Sequence, residues 1–307
     1  MKICVIGCGA VGSLFAAHLA KAGEAEVWAY DVWKEHIDAI QQNGLRLSGV
    51  EDITARLNAT SDAKELPRCD YGIVATKAID TRVAISQVAD IFDDKSVVCS
   101  VQNGVGNEEI IAERVQFVIR GTTFPAGHPI APGHIGYDIK GDTWIGPFEE
   151  TNTSMEKVEE LAGLMTRSGM NTIALKDARG AQWTKLIFNA STSPVGALTL
   201  LHHGAATRFE PTKHLANDLI AEGEAVAREL GIALHGDPRQ LVQMGTHALG
   251  KPRASMLQDI LAKRQTEVDF MNGAIVHWGE KAGVPTPLNK AVWELIKGLE
   301  HAWQDPD

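Results

Sequence analysis

The sequence predicts an α/β domain on a parallel, doubly wound sheet with an antiparallel extension, followed by an all-α domain. Three observations carry this: a glycine-rich turn joins an apolar strand to a helix at the start, strands and helices then alternate, and strand patterning ceases after Ala178. Residues 2–6 (KICVI) form a short unbroken apolar run, the mark of a parallel strand covered on both faces. Residues 10–22 (AVGSLFAAHLAKA) carry apolar positions at helical spacing. A strand over 26–30 and a helix over 33–43 repeat the unit. Residues 70–76 give a strand, 80–92 a helix and 96–102 (SVVCSVQ) another strand, and such alternation implies a parallel sheet with helices on its faces. After Gly121 the texture changes, and HIGYDIKGDTWIGPF reads as paired antiparallel strands with glycine turns. A helix over about 153–168 and a strand over 171–176 (NTIALK) follow. Beyond Ala178, RGAQWTKLIFNAS opens a long helix, and 212–230 and about 255–281 read as two more. A final helix runs from about Leu288 to Trp303 after the stop signal GVPTP. The expected domains are 1–176 and 177–307.

The 307 residues are 44% hydrophobic and 22% charged, an ordinary globular balance, and the length suits two domains. A net charge of −10 argues against a nucleic-acid surface, which needs a basic stripe. No apolar run approaches the roughly 18 residues of a membrane span. The opening MKICVIG enters a strand at once rather than a secretory signal, so a cytoplasmic location is expected. Cys4, Cys8, Cys69 and Cys99 form no CxxC or zinc-type pair and are expected as reduced thiols.

The turn GCGAVG sets Gly7, Cys8, Gly9, Ala10, Val11 and Gly12 in GxGxxG spacing. Gly7 allows the tight turn out of the strand, Gly9 lets a pyrophosphate approach backbone, and Gly12 lets the helix pack closely. Phosphate would then sit at a helix N-terminus, where unpaired N–H groups and the dipole favour negative charge. Preceded by a strand and followed by a helix, this is the dinucleotide-binding context of a Rossmann domain. Asp31 ends the second strand, 19 residues beyond Gly12. There a carboxylate can accept from the adenosine ribose; a helix N-cap is the other reading. Lys77, in DYGIVATKAID, stands at the carboxyl end of a core strand. It is either a soluble strand end or a residue facing a ligand, since open α/β sheets bind ligands there.

In the helical domain Lys185, Asn189 and Ser193 recur every four residues up to Pro194, which puts them on one face. A solvated face and a functional face remain equally open on spacing alone. Ser255 sits at a plausible N-cap of the 255–281 helix, and Glu267 lies three turns further on, where a solvated position is the plain reading. The histidines, among them His202, His203, His214, His235 and His247, show no HExxH or ligand spacing, so no metal is expected. NASTSPVG holds serines but no GxSxG elbow.

Five ordered segments, KICVIGCGAVGS, VATKA, VQNGVGNEE, WTKLIFNAS and SMLQDILAKRQTEVDFMNG, resemble the ketopantoate (2-dehydropantoate) reductase family across nearly the full length. The resemblance implies an N-terminal Rossmann domain and a helical domain carrying substrate and catalytic residues. It implies that Lys77 and Asn103 line the nicotinamide side, with Asn103 also near substrate. It implies that Lys185 is the catalytic lysine, Asn189 a substrate contact, Ser255 the holder of the substrate carboxylate and Glu267 the active-site glutamate. The implied activity is NAD(P)H-dependent reduction of a 2-oxo acid resembling ketopantoate to a 2-hydroxy acid, in pantothenate biosynthesis, by a monomer or homodimer. Two positions depart from the family. Four residues after Asn189 asparagine is usual, and this chain has Ser193, which helps read the substrate's hydroxyl end. Many members end the second strand with arginine to hold the NADP phosphate, and this chain has Asp31 and Val32. NAD(H) is therefore expected over NADP(H), with NADP(H) still open. A D-2-hydroxyacid dehydrogenase for another branched or aryl 2-oxo acid is the alternative enzyme. A non-catalytic NAD(H)-sensing protein is the other alternative, and the set of Lys185, Asn189, Ser255 and Glu267 argues against it.

Overall fold

The computed structural model describes residues 1–246 and 254–303. The chain divides into two compact units, one of residues 1–102 and 107–178, the other of 103–106 and 179–307.

The first unit runs β1 (Lys2–Ile6), α1 (Ala10–Ala22), β2 (Glu26–Tyr30), α2 (Lys34–Asn43), β3 (Leu45–Gly49), β4 (Ile53–Ala55), β5 (Asn58–Thr60), β6 (Tyr71–Val74), α3 (Thr81–Val88), β7 (Val97–Ser100), α4 (Asn107–Ala112), β8 (Val118–Thr123), β9 (Ala126–Ala131), β10 (His134–Ile139), β11 (Thr143–Pro147), α5 (Met155–Arg167) and β12 (Thr172–Ala174). Eight strands make one sheet in the order β12-β11-β8-β7-β6-β1-β2-β5, parallel except where β11 meets β8. The chain builds outward from β1 to β2 and β5, then returns to β6 on the other side of β1. Strand order reverses there, and the carboxyl ends of β1 and β6 form the crevice where such sheets bind ligands. β1 is apolar throughout because both its faces are covered. Ile3 and Val5 pack with Leu14, Phe15 and Leu19 of α1, and Cys4 and Ile6 with Val74, Ile85 and Val98 on the opposite face.

A second sheet, β4-β3-β10-β9, packs against α1. Its presence corrects the sequence expectation that the strands of HIGYDIKGDTWIGPF pair with each other. β10 pairs with β3 and β9, whereas β11 pairs with β8 and β12. The physical reason is burial. Ile135 and Tyr137 of β10 enter the core beside α1, and the chain crosses at residues 140–142 to lay Ile145 into the main sheet.

The second unit is helical among its described residues: α6 (Arg179–Thr199), α7 (His203–Ala206), α8 (Glu210–Glu229), α9 (Pro238–Thr246), α10 (Ser255–Leu261), α11 (Asn272–Ala282) and α12 (Pro287–Ala302). α6 is packed by α8, α10 and α12. It continues through Pro194, which has no N–H for the Ala190 carbonyl one turn back. Asn272 Nδ2 donates to that carbonyl at 3.0 Å and restores the lost bond.

The expected helix over 255–281 is two helices with a connection. Lys263 takes a left-handed φ of 51°, and the Arg264 N–H turns back to the Asp259 carbonyl at 2.9 Å, closing α10. Thr266 then donates to Glu300 through its N–H at 2.8 Å and its hydroxyl at 2.7 Å. Glu267 therefore lies off the helix, heading the 3₁₀ turn Val268–Phe270, rather than three helical turns beyond Ser255. Ser255 is the first residue of α10, and Ala254 holds the cap position expected for it.

Candidate active site

From Ile3 to Leu19 every residue is buried except Gly9, Ala10 and Val11. This opening coincides with the glycine-rich turn. Gly7 has a φ of +86°, and a Cβ there would stand 2.6 Å from the Thr76 methyl and backbone nitrogen. A Cβ on Gly12 would stand 1.9 Å from the Gly7 carbonyl oxygen, so only glycine lets α1 start so close to β1. A Cβ on Gly9 would meet nothing within 4 Å. Gly9 caps α1 without a side-chain hydrogen bond among the described residues, and the first turn holds no acidic residue. Open space and an uncapped helix start fit the phosphates of a dinucleotide.

Asp31 follows β2 and is partly buried. Its Oδ2 accepts the Cys8 N–H at 2.6 Å, and its Oδ1 accepts the Trp33 N–H at 2.8 Å. The N-cap of α2 is Trp33, so the N-cap reading of Asp31 is displaced by two residues. Its carboxylate instead ties the glycine turn to the end of β2. Val32 is 73% exposed, and Lys34 pairs with Asp38 at 2.8 Å on α2.

Lys77 lies three residues beyond β6, partly buried, and precedes a 3₁₀ turn in which the Asp80 N–H donates to the Lys77 carbonyl at 2.9 Å. Its neighbour Thr76 is the residue that crowds Gly7. Gln102, beyond β7, donates to the Thr76 carbonyl and hydroxyl, both at 3.1 Å, and to the Thr81 hydroxyl at 2.7 Å. Sequence reading missed Gln102; its signal was a polar residue at the end of a core strand, the same signal that singled out Lys77.

In the second unit, Asn103 begins a tight segment held by a hydrogen bond from the Val105 N–H to the Phe270 carbonyl at 3.0 Å. Lys185 Nζ donates to Asn103 Oδ1 at 2.8 Å, and Asn103 Nδ2 reaches Glu267 Oε2 at 3.5 Å. Glu267 is 4% exposed. Burial pulls the Lys185 pKa down to about 8, while the Glu267 carboxylate holds it up. Between Gly180 and Ala197, α6 is buried at every position except Lys185, Phe188 and Asn189, which share one face. Ser193, one turn beyond Asn189, is buried, and Ser255 is exposed at the start of α10. Hydrogen bonds thus join Lys185, Asn103 and Glu267. Asn189 and Ser193 share their helix with Lys185, and Ser255 stands at the start of α10. Chemically, the cluster is a desolvated ammonium held by an amide and a carboxylate, suited to donating a proton to a nascent oxyanion.

The four cysteines are buried free thiols. Among the described residues no group of three or more His, Cys, Asp or Glu is placed to hold a metal, and no helix is long and apolar enough to cross a membrane. His247 lies outside the described residues.

Comparison with known proteins finds two family matches: ketopantoate reductase PanE/ApbA over residues 3–150 and its C-terminal counterpart over residues 177–300. The 2-dehydropantoate 2-reductase of Archaeoglobus fulgidus is 31% identical over 303 residues, covering 97% of this chain and 98% of its own. That of Pyrococcus abyssi is 32% identical over 301 residues, covering 98% of each. Among solved structures, a PanE/ApbA family ketopantoate reductase from Ralstonia eutropha is similar with a TM-score of 0.88 at 28% identity, over 99% of this chain and 100% of that one. A D-mandelate dehydrogenase in complex with NADH is similar with a TM-score of 0.86 at 25% identity, over 98% and 99%.

Proposed function

The chain belongs to the ketopantoate reductase PanE/ApbA family, and we propose that it reduces a 2-oxo acid of the 2-dehydropantoate type to the 2-hydroxy acid. The observation that carries this reading is the partly buried Lys185 ammonium, donating to Asn103 at 2.8 Å with Glu267 beside it. A nicotinamide dinucleotide, held by Gly7, Cys8, Gly9, Ala10, Val11, Gly12, Asp31 and Lys77, supplies the hydride when bound. As negative charge grows on the carbonyl oxygen, Lys185 stabilises it and gives it a proton. A pKa of about 8 leaves the ammonium mostly charged at neutral pH yet a better acid than an ordinary lysine. Asn103 fixes the ammonium's direction, and Glu267 favours its charged form. Asn189 and Ser193 read the substrate along the same helix, and Ser255 takes its carboxylate. NADH is the preferred reductant because Asp31 stands where a 2′-phosphate would need a cation. The enzyme works in the cytoplasm, in pantothenate biosynthesis.

A second reading keeps the chemistry and changes the acid. Phe188, between Lys185 and Asn189 on the open face of α6, sets its ring 5.8 Å from the His203 ring. An aromatic pair at the open face of α6 favours a branched or aryl 2-oxo acid, as does the likeness to a D-mandelate dehydrogenase. Mixing the protein with NADH or NADPH and a panel of 2-oxo acids, and following cofactor oxidation, tests both. Oxidation with none of them would refute the reductase reading.

A further inference from the structure

Cys8 is held at both of its backbone groups. Its N–H donates to Asp31 Oδ2 at 2.6 Å, and its carbonyl accepts from Ser13 Oγ at 2.8 Å. Ser13 Oγ lies 3.4 Å from His36 Nε2, and His36 Nδ1 accepts the Gly133 N–H at 3.0 Å. The Trp33 ring stacks on the His36 ring at 4.6 Å, and the Trp33 N–H donates to Asp31 Oδ1. These contacts close a ring through Cys8, Ser13, His36, Trp33 and Asp31. Ser13 and His36 are both 0% exposed.

The protons in this ring have one consistent arrangement. A carbonyl only accepts, so Ser13 uses its single proton on Cys8 and must accept from His36. A backbone N–H only donates, so His36 Nδ1 carries no proton. The neutral imidazole protonated on Nε2 satisfies both. Burial lowers the His36 pKa and favours that neutral form, against the opposing pull of Asp31. The chain therefore runs one way, from His36 to Ser13 to the Cys8 carbonyl.

The direction matters at the next atom. The Cys8 carbonyl and the Gly9 N–H share a planar trans peptide and point opposite ways. Turning the carbonyl inward to Ser13 turns the Gly9 N–H outward, and Gly9 is one of the three residues open at this turn. We propose that His36 and Ser13 are positioning residues for the dinucleotide, which together lock the Cys8–Gly9 peptide so that the Gly9 N–H is presented to the pyrophosphate. The inference rests on the reading of this turn as a dinucleotide site.

Competition of ADP-ribose and of adenosine against NADH, followed by NADH fluorescence, tests it. In Ser13→Ala the affinities for NADH and ADP-ribose fall about three- to tenfold, the range of one neutral hydrogen bond. Adenosine has no pyrophosphate and keeps its affinity. His36→Gln gives a similar loss, and the double variant adds little, because both act through one carbonyl. Ser13→Cys, close in shape but a weaker donor, falls between wild type and Ser13→Ala and shows that the loss follows the hydrogen bond rather than the fold. Equal losses for adenosine and ADP-ribose, additive losses, or an unchanged ADP-ribose affinity would overturn the inference. A wild type that binds neither NADH nor ADP-ribose would overturn the dinucleotide reading beneath it.

Discussion

Lys185 Nζ donates to Asn103 Oδ1 at 2.8 Å although 82 residues separate them in the chain. The far end of the same amide reaches Glu267, 164 residues from Asn103, at 3.5 Å. One asparagine side chain thus orients an acid and the carboxylate that holds its charge. Burial supplies the rest, because a desolvated ammonium gives up its proton more readily than an exposed one.

If Lys185 is the proton donor, Lys185→Ala lowers kcat by about 100-fold or more, the usual loss for a positioned acid. The dissociation constant of NADH should stay within a few-fold, since the glycine turn is built from other residues. The wild-type reduction rate should also fall as pH rises through about 8, where the donor loses its proton. Steady-state kinetics across pH, with cofactor titration, measures both. Turnover of the alanine variant close to wild type would remove Lys185 from this role.

Glu267→Gln separates charge from shape. Glu267 raises the Lys185 pKa, so removing its charge lowers that pKa further. The alkaline limb of the rate profile should then move to lower pH. A limb that stays near pH 8 would mean that Glu267 does not act through Lys185.

Asn272→Ala should destabilise the protein by about 1–3 kcal/mol, the cost of leaving a buried carbonyl unpaired. The Ala190 carbonyl has lost its helical donor to Pro194, and Asn272 Nδ2 is its replacement. Chemical denaturation gives the value. Pro194→Ala in the same background restores a backbone donor and should recover part of the loss; no recovery would break the proposed link.

That pairing also marks the limit of sequence reading here. Pro194 inside a helical pattern announces a freed carbonyl, but nothing local names the residue 78 positions on that fills it. GxGxxG and the four-residue spacing of Lys185, Asn189 and Ser193 were legible because each is a local pattern with a fixed geometry. The break of the 255–281 helix was not, because Thr266 leaves helical geometry to bond Glu300, a partner 34 residues away. The second sheet was hidden for the same reason, since β3 and β10 pair across a gap of more than eighty residues.

Ser193 should decide how well the substrate's hydroxyl end is read. It is 6% exposed and reaches less far than the asparagine that the family resemblance leads one to expect there. Ser193→Asn should raise kcat/KM for ketopantoate relative to an analogue without the 4-hydroxyl by about two- to tenfold, the span of one added hydrogen bond. An unchanged ratio would show that this position does not face that hydroxyl.

Asp31 should set the choice of cofactor. Its two oxygens already accept the Cys8 and Trp33 N–H groups, so the carboxylate is fixed rather than free to swing aside. A 2′-phosphate brought near it carries about two negative charges and only acceptors. Two unit charges about 4 Å apart at an effective dielectric of about 20 interact by about 4 kcal/mol, enough to outweigh a modest contact elsewhere. The nearby cation, Lys34, is exposed and paired with Asp38 at 2.8 Å, so moving it to a phosphate breaks one ion pair to make another. Val32 offers no donor. Wild type should therefore show a higher kcat/KM with NADH than with NADPH. Asp31→Ala should narrow that ratio by about tenfold or more, the equivalent of about 1.4 kcal/mol. It should also weaken NADH binding, because the Cys8 N–H loses its acceptor. Asp31→Asn, which removes the charge and keeps the shape, should narrow the ratio with a smaller loss of NADH affinity. A wild type that favours NADPH would mean that Lys34, not Asp31, governs the pocket.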